Sequence, residues 1–527
     1  MRYEEFSDMS DCIVSKDYKR KPGYGISIGR QLLDIDSEDS GRPRKEVLIL
    51  GAGMAGLSAG YELAKRGHKV SILEAETCSE AFPKGRVGGR VWTHRFNEKR
   101  YGELGAMRIP GSHDYTHHYI KEMKLKRRKF INTDDRKDTY RNFEGVTCKT
   151  KVAVEEIGDL FNLSDPECEA ISTKDDLEQN FLDILAGLVS GLEESEKYQL
   201  FGHGLLSERL KRWDKTSLLD ILKDRATSDA VQLMGKASVL EDYWDCSTLF
   251  FLREEVDEAF LSLYEIVDGM GKLPEAMADK PLPNGETLRD LIEFGHEVRA
   301  ISEDKEGIVV TVKHGDTVKE IKSPYVLCTI PFSVLRRINL QNLPISQTIK
   351  KAIKEMNYQS STKVLINCDR RFWESEDDIY GGKSLTDAEI KQTYYPSDNC
   401  GQDDNVSEGP GVLLGSYTWG KTALDMGELK PKERGQLVVD QIECFHPQIK
   451  EHLNSEEPYA SMAWDQYPYT AGAFSSSLPC ELQAFFPEVG QPDGKIFFAG
   501  EHLSPYPTWV QGALWSGLQA VKQIVMT

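Results

Sequence analysis

The chain has 527 residues, of which 39% are apolar, and 85 acidic against 65 basic side chains give it a net charge of −20. That length exceeds a single hydrophobic core, so two or three domains are expected. Such an acidic chain has no general attraction for nucleic acid or anionic membrane, and it holds no apolar stretch of about 18 residues that could span a bilayer.

Residues 1–43 are polar and rich in Gly, Ser and Asp, and are expected to form a surface arm. No apolar segment follows its first basic residues, so a cytoplasmic location is the default expectation. Val47–Gly56 then runs an apolar strand into a G-x-G-x-x-G turn. Gly51 allows the tight turn, Gly53 lets the backbone N–H groups of Gly53, Met54 and Ala55 approach a pyrophosphate, and Gly56 lets the next helix pack close. A second strand, Lys69–Leu73, ends at Glu74 beside Ala75, where an acidic side chain accepts from a ribose 2′-OH. Strand, helix, strand and acid together point to an ADP-containing dinucleotide, without saying which one.

Gly85-Arg86-Val87-Gly88-Gly89-Arg90 offers a second Gly/Arg clamp, with Gly89 and Arg90 its contacts, which an NAD site does not need. The basic run Lys124–Lys129 reads as a solvated face. The stretch 135–244 is charged and leucine-spaced, with amphipathic helices at Phe181–Leu192 and Leu218–Leu222. Glu254, Glu255 and Asp257 are expected on a solvated helix face, the alternative being recognition of a cationic substrate. Glu297–Ile301 and Gly307–Val312 suggest a hairpin, 360–370 and 411–418 alternate as half-buried strands, and 374–410 reads as loop. Lys495–Ala499 is a buried strand that leads through Gly500-Glu501 to a helix from Gly512. That ending sets a carboxylate and a helix N-terminus where a flavin's ribityl chain and pyrimidine edge would lie, which favours FAD over NAD. The ten cysteines form no C-x-x-C pair and read as buried thiols, with no metal site expected.

The glycine turn with Glu74, the GGRV segment, Glu265–Met270 (EIVDGM) and Phe497–His502 (FFAGEH) together resemble the flavin-dependent amine oxidases, and within them most closely the L-amino acid oxidases. The resemblance covers nearly all of the chain beyond residue 44. It implies a mixed α/β fold: a Rossmann-type FAD-binding domain from 44–79, 272–345 and 487–527, a mixed-sheet substrate domain from 80–134, 245–271 and 346–486, and a helical insert at 135–244. It also implies that Arg108, in Gly105–Pro110, pairs with a substrate α-carboxylate with help from Tyr417, and that Lys363 holds a water beside the flavin. Trp509 would flank the substrate and Trp464 add a wall, whereas Tyr469 and Trp244 are read as core. Met107, Arg108, Val298, Trp509 and Val510 would add FAD contacts. The expected partners are an L-amino acid, O2 and a second copy of the chain. The expected reaction yields a 2-oxo acid, ammonia and H2O2, against three alternatives: an amino-acid 2-monooxygenase that releases an amide, a primary amine or polyamine oxidase, and a non-catalytic flavin-fold binding module, which intact Arg108, Lys363 and Tyr417 argue against. One departure stands out. Some L-amino acid oxidases carry a histidine about a dozen residues before EIVDGM, but none lies between His203 and His296 here, and Arg253 stands near that place. His502 is read as structural.

Overall fold

The computed structural model describes residues 24–133, 135–202, 204–399, 409–486 and 488–527. The first part of the arm, 400–408 of the segment read as loop, Cys12 and Cys400 lie outside the described residues.

A five-stranded sheet forms the base of the molecule. Its order is 292–294, 69–74, 46–50, 325–328 and 496–498, and every neighbouring pair is parallel. Parallel strands buried on both faces require near-continuous apolar runs; Val47–Leu50 and Ile496–Phe498 are fully buried accordingly. All five carboxyl ends share one edge, the place where open α/β sheets take ligands. Helix Met54–Lys65 returns over the sheet, and the C-terminal helix Val510–Met526 packs on it.

Glycine sets both spacings. A Cβ on Gly56 would lie 2.0 Å from the Gly51 carbonyl oxygen, and one on Gly517 would lie 2.7 Å from that of Ala55. The arm is more than surface chain, because Ile28–Asp39 is a helix that buries Ile28, Gln31 and Ile35 and packs on the C-terminal helix.

The second sheet has seven strands, in the order 459–463, 361–368, 411–419, 392–394, 383–386, 140–143 and 146–149. Two expectations change here. The segment read as loop at 374–410 supplies two of these strands, Lys383–Thr386 and Gln392–Tyr394. Two more, Tyr140–Phe143 and Val146–Lys149, come from residues assigned to the helical insert. They form a hairpin whose turn residues Glu144 and Gly145 both have positive φ, the geometry of a tight two-residue connection. The expected hairpin after Glu297 is a three-stranded meander, 297–303, 308–314 and 317–323.

Helices from 153 to 256 share a core of Leu185, Leu222, Leu233 and Leu249. Among the described residues no helix is long and apolar enough to cross a membrane. Eight described cysteines are free thiols, and four of them (Cys78, Cys168, Cys444 and Cys480) are exposed rather than buried.

The glycine contacts make a direct test. Gly56→Ala should lower the thermal midpoint of the purified protein and its retained flavin. The clash is with backbone, and overpacking of this kind costs roughly 1–3 kcal/mol. Gly29→Ala, in a helix where an added Cβ meets nothing within 4 Å, should leave the midpoint unchanged or raise it, since alanine is favoured by up to about 1 kcal/mol.

Candidate active site

The carboxyl ends of the parallel strands open into a cavity of about 500 Å³, closed on its other sides by the seven-stranded sheet and by helix Thr248–Val256. Every site residue read from the sequence lines this cavity except Gly56, whose place is the packing contact beneath the turn.

At the sheet edge, Gly51 has a φ of +106°, and a Cβ there would lie 2.8 Å from Thr329 Oγ1. Gly53 differs, because a Cβ at this position meets no protein atom within 4 Å. It is the N-terminal cap of helix 54–65 and lines the cavity, so a side chain would occupy the space a pyrophosphate needs. Glu74 accepts from the Ala52 N–H at 2.8 Å and the Glu76 N–H at 3.0 Å, and burial raises its pKa. The second Gly/Arg segment closes on the first: the Gly88 N–H donates to the Ala52 carbonyl at 2.8 Å, and Gly53 and Gly88 form a parallel bridge. Arg86 holds that loop by donating to the Gly89 carbonyl at 2.7 Å and to Glu76 at 2.6 Å while stacking on Trp92. Met54, Ala55, Ala75 and Val298 complete this end of the cavity. Tyr469, read as core, also lines the cavity; Trp244 does not. Glycines at the dinucleotide approach, a helix N-terminus and an acid at the second strand's end are the donor and shape set that FAD requires.

Glu501 lies buried between the two halves. It accepts from Arg90 Nη1 at 3.0 Å, from the Ser475 N–H and hydroxyl at 3.1 and 2.7 Å, and from the Thr508 N–H at 2.9 Å. Burial alone would raise its pKa, but Arg90 and these donors hold it below the usual value. His502, next to it, points away from the cavity against Phe332; burial takes its pKa down to about 4.

Across the cavity, Lys363 sits on a strand whose eight residues are all buried, and is itself only 3% exposed. Its Nζ donates to the Gly105 carbonyl at 2.7 Å and approaches Met107 Sδ at 3.3 Å. Burial is the main cause that pushes this amine down to about 7; repulsion from Arg108 adds to it and Glu103 opposes it. Tyr417, its antiparallel partner in register, places its ring 4.4 Å from Nζ. Trp464 donates its indole N–H to the Leu104 carbonyl at 2.9 Å.

Arg108 donates from Nη1 to Asn132 at 2.7 Å and Tyr394 at 3.2 Å, and its guanidinium lies 5.6 Å from the Phe260 ring centroid. Both of those bonds use one nitrogen, and among the described residues no carboxylate lies within ion-pair distance of it. The rest of the fork has no described hydrogen-bond partner and is open to an acceptor entering the cavity.

Trp509 caps the C-terminal helix and donates its indole N–H to Glu254 Oε1 at 2.8 Å. This overturns the reading of 254–257 as a solvated face. Glu254 lines the cavity together with Phe250, one helical turn before it, and burial, with repulsion from Glu255, raises its pKa to about 7 against the Trp509 bond and Arg108. Glu255 is half-buried, and Asp257 accepts from Ser112 at 2.8 Å beside His113. Arg253 turns away to donate to the Leu200 carbonyl. Tyr243, Phe250, Phe251, Trp419 and Phe474, none of them singled out by sequence, complete an aromatic wall. The i, i+4 pair Phe250/Glu254 was the available signal, but only the packing shows which side of the helix meets the cavity.

Residues 54–525 match the flavin-containing amine oxidoreductase family. The chain is 32% identical over 519 residues to the flavin-dependent L-tryptophan oxidase RebO of Lentzea aerocolonigenes, covering 92% of this chain and 98% of that protein. It is 28% identical to an L-amino-acid oxidase of Vipera ammodytes ammodytes, with 98% of each chain covered. Among solved structures, a cofactor-site redesign of putrescine oxidase superposes with a TM-score of 0.68 at 19% identity, covering 92% of this chain and 99% of that one. Cyclohexylamine oxidase from Brevibacterium oxydans IH-35A gives the same TM-score at 17% identity, again over 92% and 99%. With a dinucleotide cradle at the parallel-sheet edge and the match running through nearly the whole fold, the chain belongs to the flavin-containing amine oxidoreductases and uses a flavin cofactor.

Proposed function

We propose that the protein is an FAD-dependent L-amino acid oxidase that converts its substrate to a 2-oxo acid with release of ammonia and H2O2. The observation that carries this reading is Arg108: a guanidinium with no acidic partner among the described residues, at a cavity wall it shares with Phe260 and Tyr417. An amine without a carboxylate gives that fork nothing to bind. The relatives named for L-tryptophan and L-amino acid oxidation support the same choice, whereas the putrescine and cyclohexylamine oxidases share the fold at under 20% identity.

Gly51, Gly53, Met54, Ala55, Glu74, Ala75, Gly89, Arg90, Val298, Gly500, Glu501 and Val510 would hold the FAD, with Met107, Arg108 and Trp509 bordering its reactive end. The flavin, when bound, supplies the two-electron acceptor for the substrate Cα–H and passes those electrons to O2.

The chain's own residues orient and deprotonate. Arg108 with Tyr417 fixes the carboxylate and so the direction in which the Cα–H points. Trp509 and Trp464 bound the site and exclude water. A desolvated cavity favours the neutral α-amine over the ammonium, so no histidine is required. Lys363, shifted to about 7, is poised to hold a water and to take up or release a proton at Nζ near neutral pH.

Product analysis tests the reading as a whole: peroxide and 2-oxo acid from L-amino acids support it, amide and CO2 point to a monooxygenase, and turnover of amines alone to an amine oxidase. Arg108→Met should lower kcat/KM for L-leucine by roughly 10²-fold or more, the scale for removing a charged partner of a bound carboxylate, while the gap between L-leucine and its decarboxylated amine narrows. The pH profile isolates Lys363. Since burial and then Arg108 lower its pKa to about 7, the amine is protonated below that pH and neutral above it. Saturated turnover should therefore change through pH 6–8, and Lys363→Met should erase that limb and cost roughly 10²-fold in rate.

A further inference from the structure

Among the described residues that line the aromatic side of the cavity, Glu254 is the one acid, and its surroundings are unusual for a carboxylate. Both of its described hydrogen bonds, from the Trp509 indole at 2.8 Å and the Thr508 hydroxyl at 3.3 Å, converge on Oε1. Among the described residues no Lys, Arg or His lies within ion-pair distance. Arg108 faces the same cavity but gives its Nη1 to Asn132 and Tyr394. The walls beside Glu254 are rings: Tyr243 stacks between Phe250 and Phe474, 6.3 Å from each, and meets Trp419 edge-on at 5.3 Å.

A prop for the Trp509 indole needs only an acceptor. A glutamine would provide one at a far smaller desolvation cost than a carboxylate. An acid half-buried among aromatic faces, with no protein cation in ion-pair contact among the described residues, is instead the composition of a site for a ligand cation, which the carboxylate neutralises and the ring faces attract. Arg108 already answers the substrate's own carboxylate, so the cation to be matched is a second charged group on the same molecule.

We propose that Glu254 forms the side-chain subsite and selects L-amino acids whose side chains end in a cation, a guanidinium or an ammonium. The inference rests on the oxidase reading and narrows its substrate class. Two charge pairs then fill the cavity, α-carboxylate with Arg108 and side-chain cation with Glu254, and the oxidised amine lies between them.

The test compares L-arginine with L-citrulline, which replaces the guanidinium by a neutral ureido group of the same shape, and with L-leucine, in the purified holoenzyme. The expected result is a kcat/KM for arginine above citrulline by roughly ten- to a hundredfold, the scale of one charged hydrogen-bonded contact. In Glu254→Gln, which still accepts the Trp509 N–H, that ratio should collapse to near one. A merely structural Glu254 would lower both substrates together and leave the ratio intact, which would overturn the proposal. Wild-type preference for leucine or citrulline over arginine would overturn the subsite while leaving the oxidase reading in place, and it needs no variant to fold. No turnover of any L-amino acid would overturn both.

Discussion

The active-site architecture depends on how one short segment, Glu103–Arg108, is pinned to the seven-stranded sheet. A buried lysine amine with no carboxylate in contact has to find backbone acceptors, and Lys363 finds the Gly105 carbonyl at 2.7 Å. Trp464, near the next strand, takes the neighbouring Leu104 carbonyl. On the other side, a Cβ on Gly105 would lie 2.1 Å from the Arg90 carbonyl oxygen, so the segment can approach the second Gly/Arg loop only because residue 105 is glycine. Held from the sheet by two side-chain donors and pressed on that loop by a glycine, the segment delivers Arg108 to the cavity wall. Lys363 and Trp464, read from the resemblance as a water holder and an aromatic wall, thus fix the place of the proposed clamp.

Three charged groups in and beside the cavity, Lys363, Glu103 and Glu254, follow one rule: each is desolvated enough to be unsettled, and among the described residues none has an ion-pair partner. Lys363 is pushed down to about 7 by burial and then by Arg108, and Glu103 and Glu254 are pushed up to about 7 by burial. Glu103 is satisfied by the Thr93 hydroxyl and the Met270 N–H rather than by a salt bridge. Such desolvated groups cost stability, and Lys363 and Glu254 line the cavity, where perturbed titration marks a functional-site candidate. By contrast, Glu501 has its charge answered by Arg90 and three further donors, and its pKa falls. Its charge is already balanced within the protein, and it orders the chain at the cavity edge.

Those differences also explain what was legible in the sequence. The glycine turn, Glu74 and the closing Ala-Gly-Glu are local: strand, turn and helix follow one another, so spacing alone carries the geometry. The place of Arg108 on the cavity wall was legible only through resemblance, since nothing in Gly105–Pro110 announces it by periodicity. The hairpin at 140–149 was hidden because its strands are short and half-buried and border charged helices, although Glu144-Gly145 held the turn signal. Glu254 was misread for a different reason. Arg253, Glu254 and Glu255 are consecutive, so each points about 100° from the next. One row of three charges therefore meets the Leu200 carbonyl, the cavity and a half-buried flank in turn.

Thr508 shows how the two halves of the site are held in register. It adopts φ +74°, a left-handed conformation that costs a β-branched residue roughly 1–3 kcal/mol and persists only where the surroundings over-determine it. Here its N–H is bound by Glu501 at 2.9 Å and its hydroxyl reaches Glu254 at 3.3 Å. Glu501 is itself tied to Arg90 of the nucleotide-side loop, and Glu254 belongs to helix Thr248–Val256. The strained residue therefore ties both to the chain immediately before Trp509. The strain is thus the counterpart of a fixed Trp509, and it lies between the proposed carboxylate clamp and the proposed side-chain subsite.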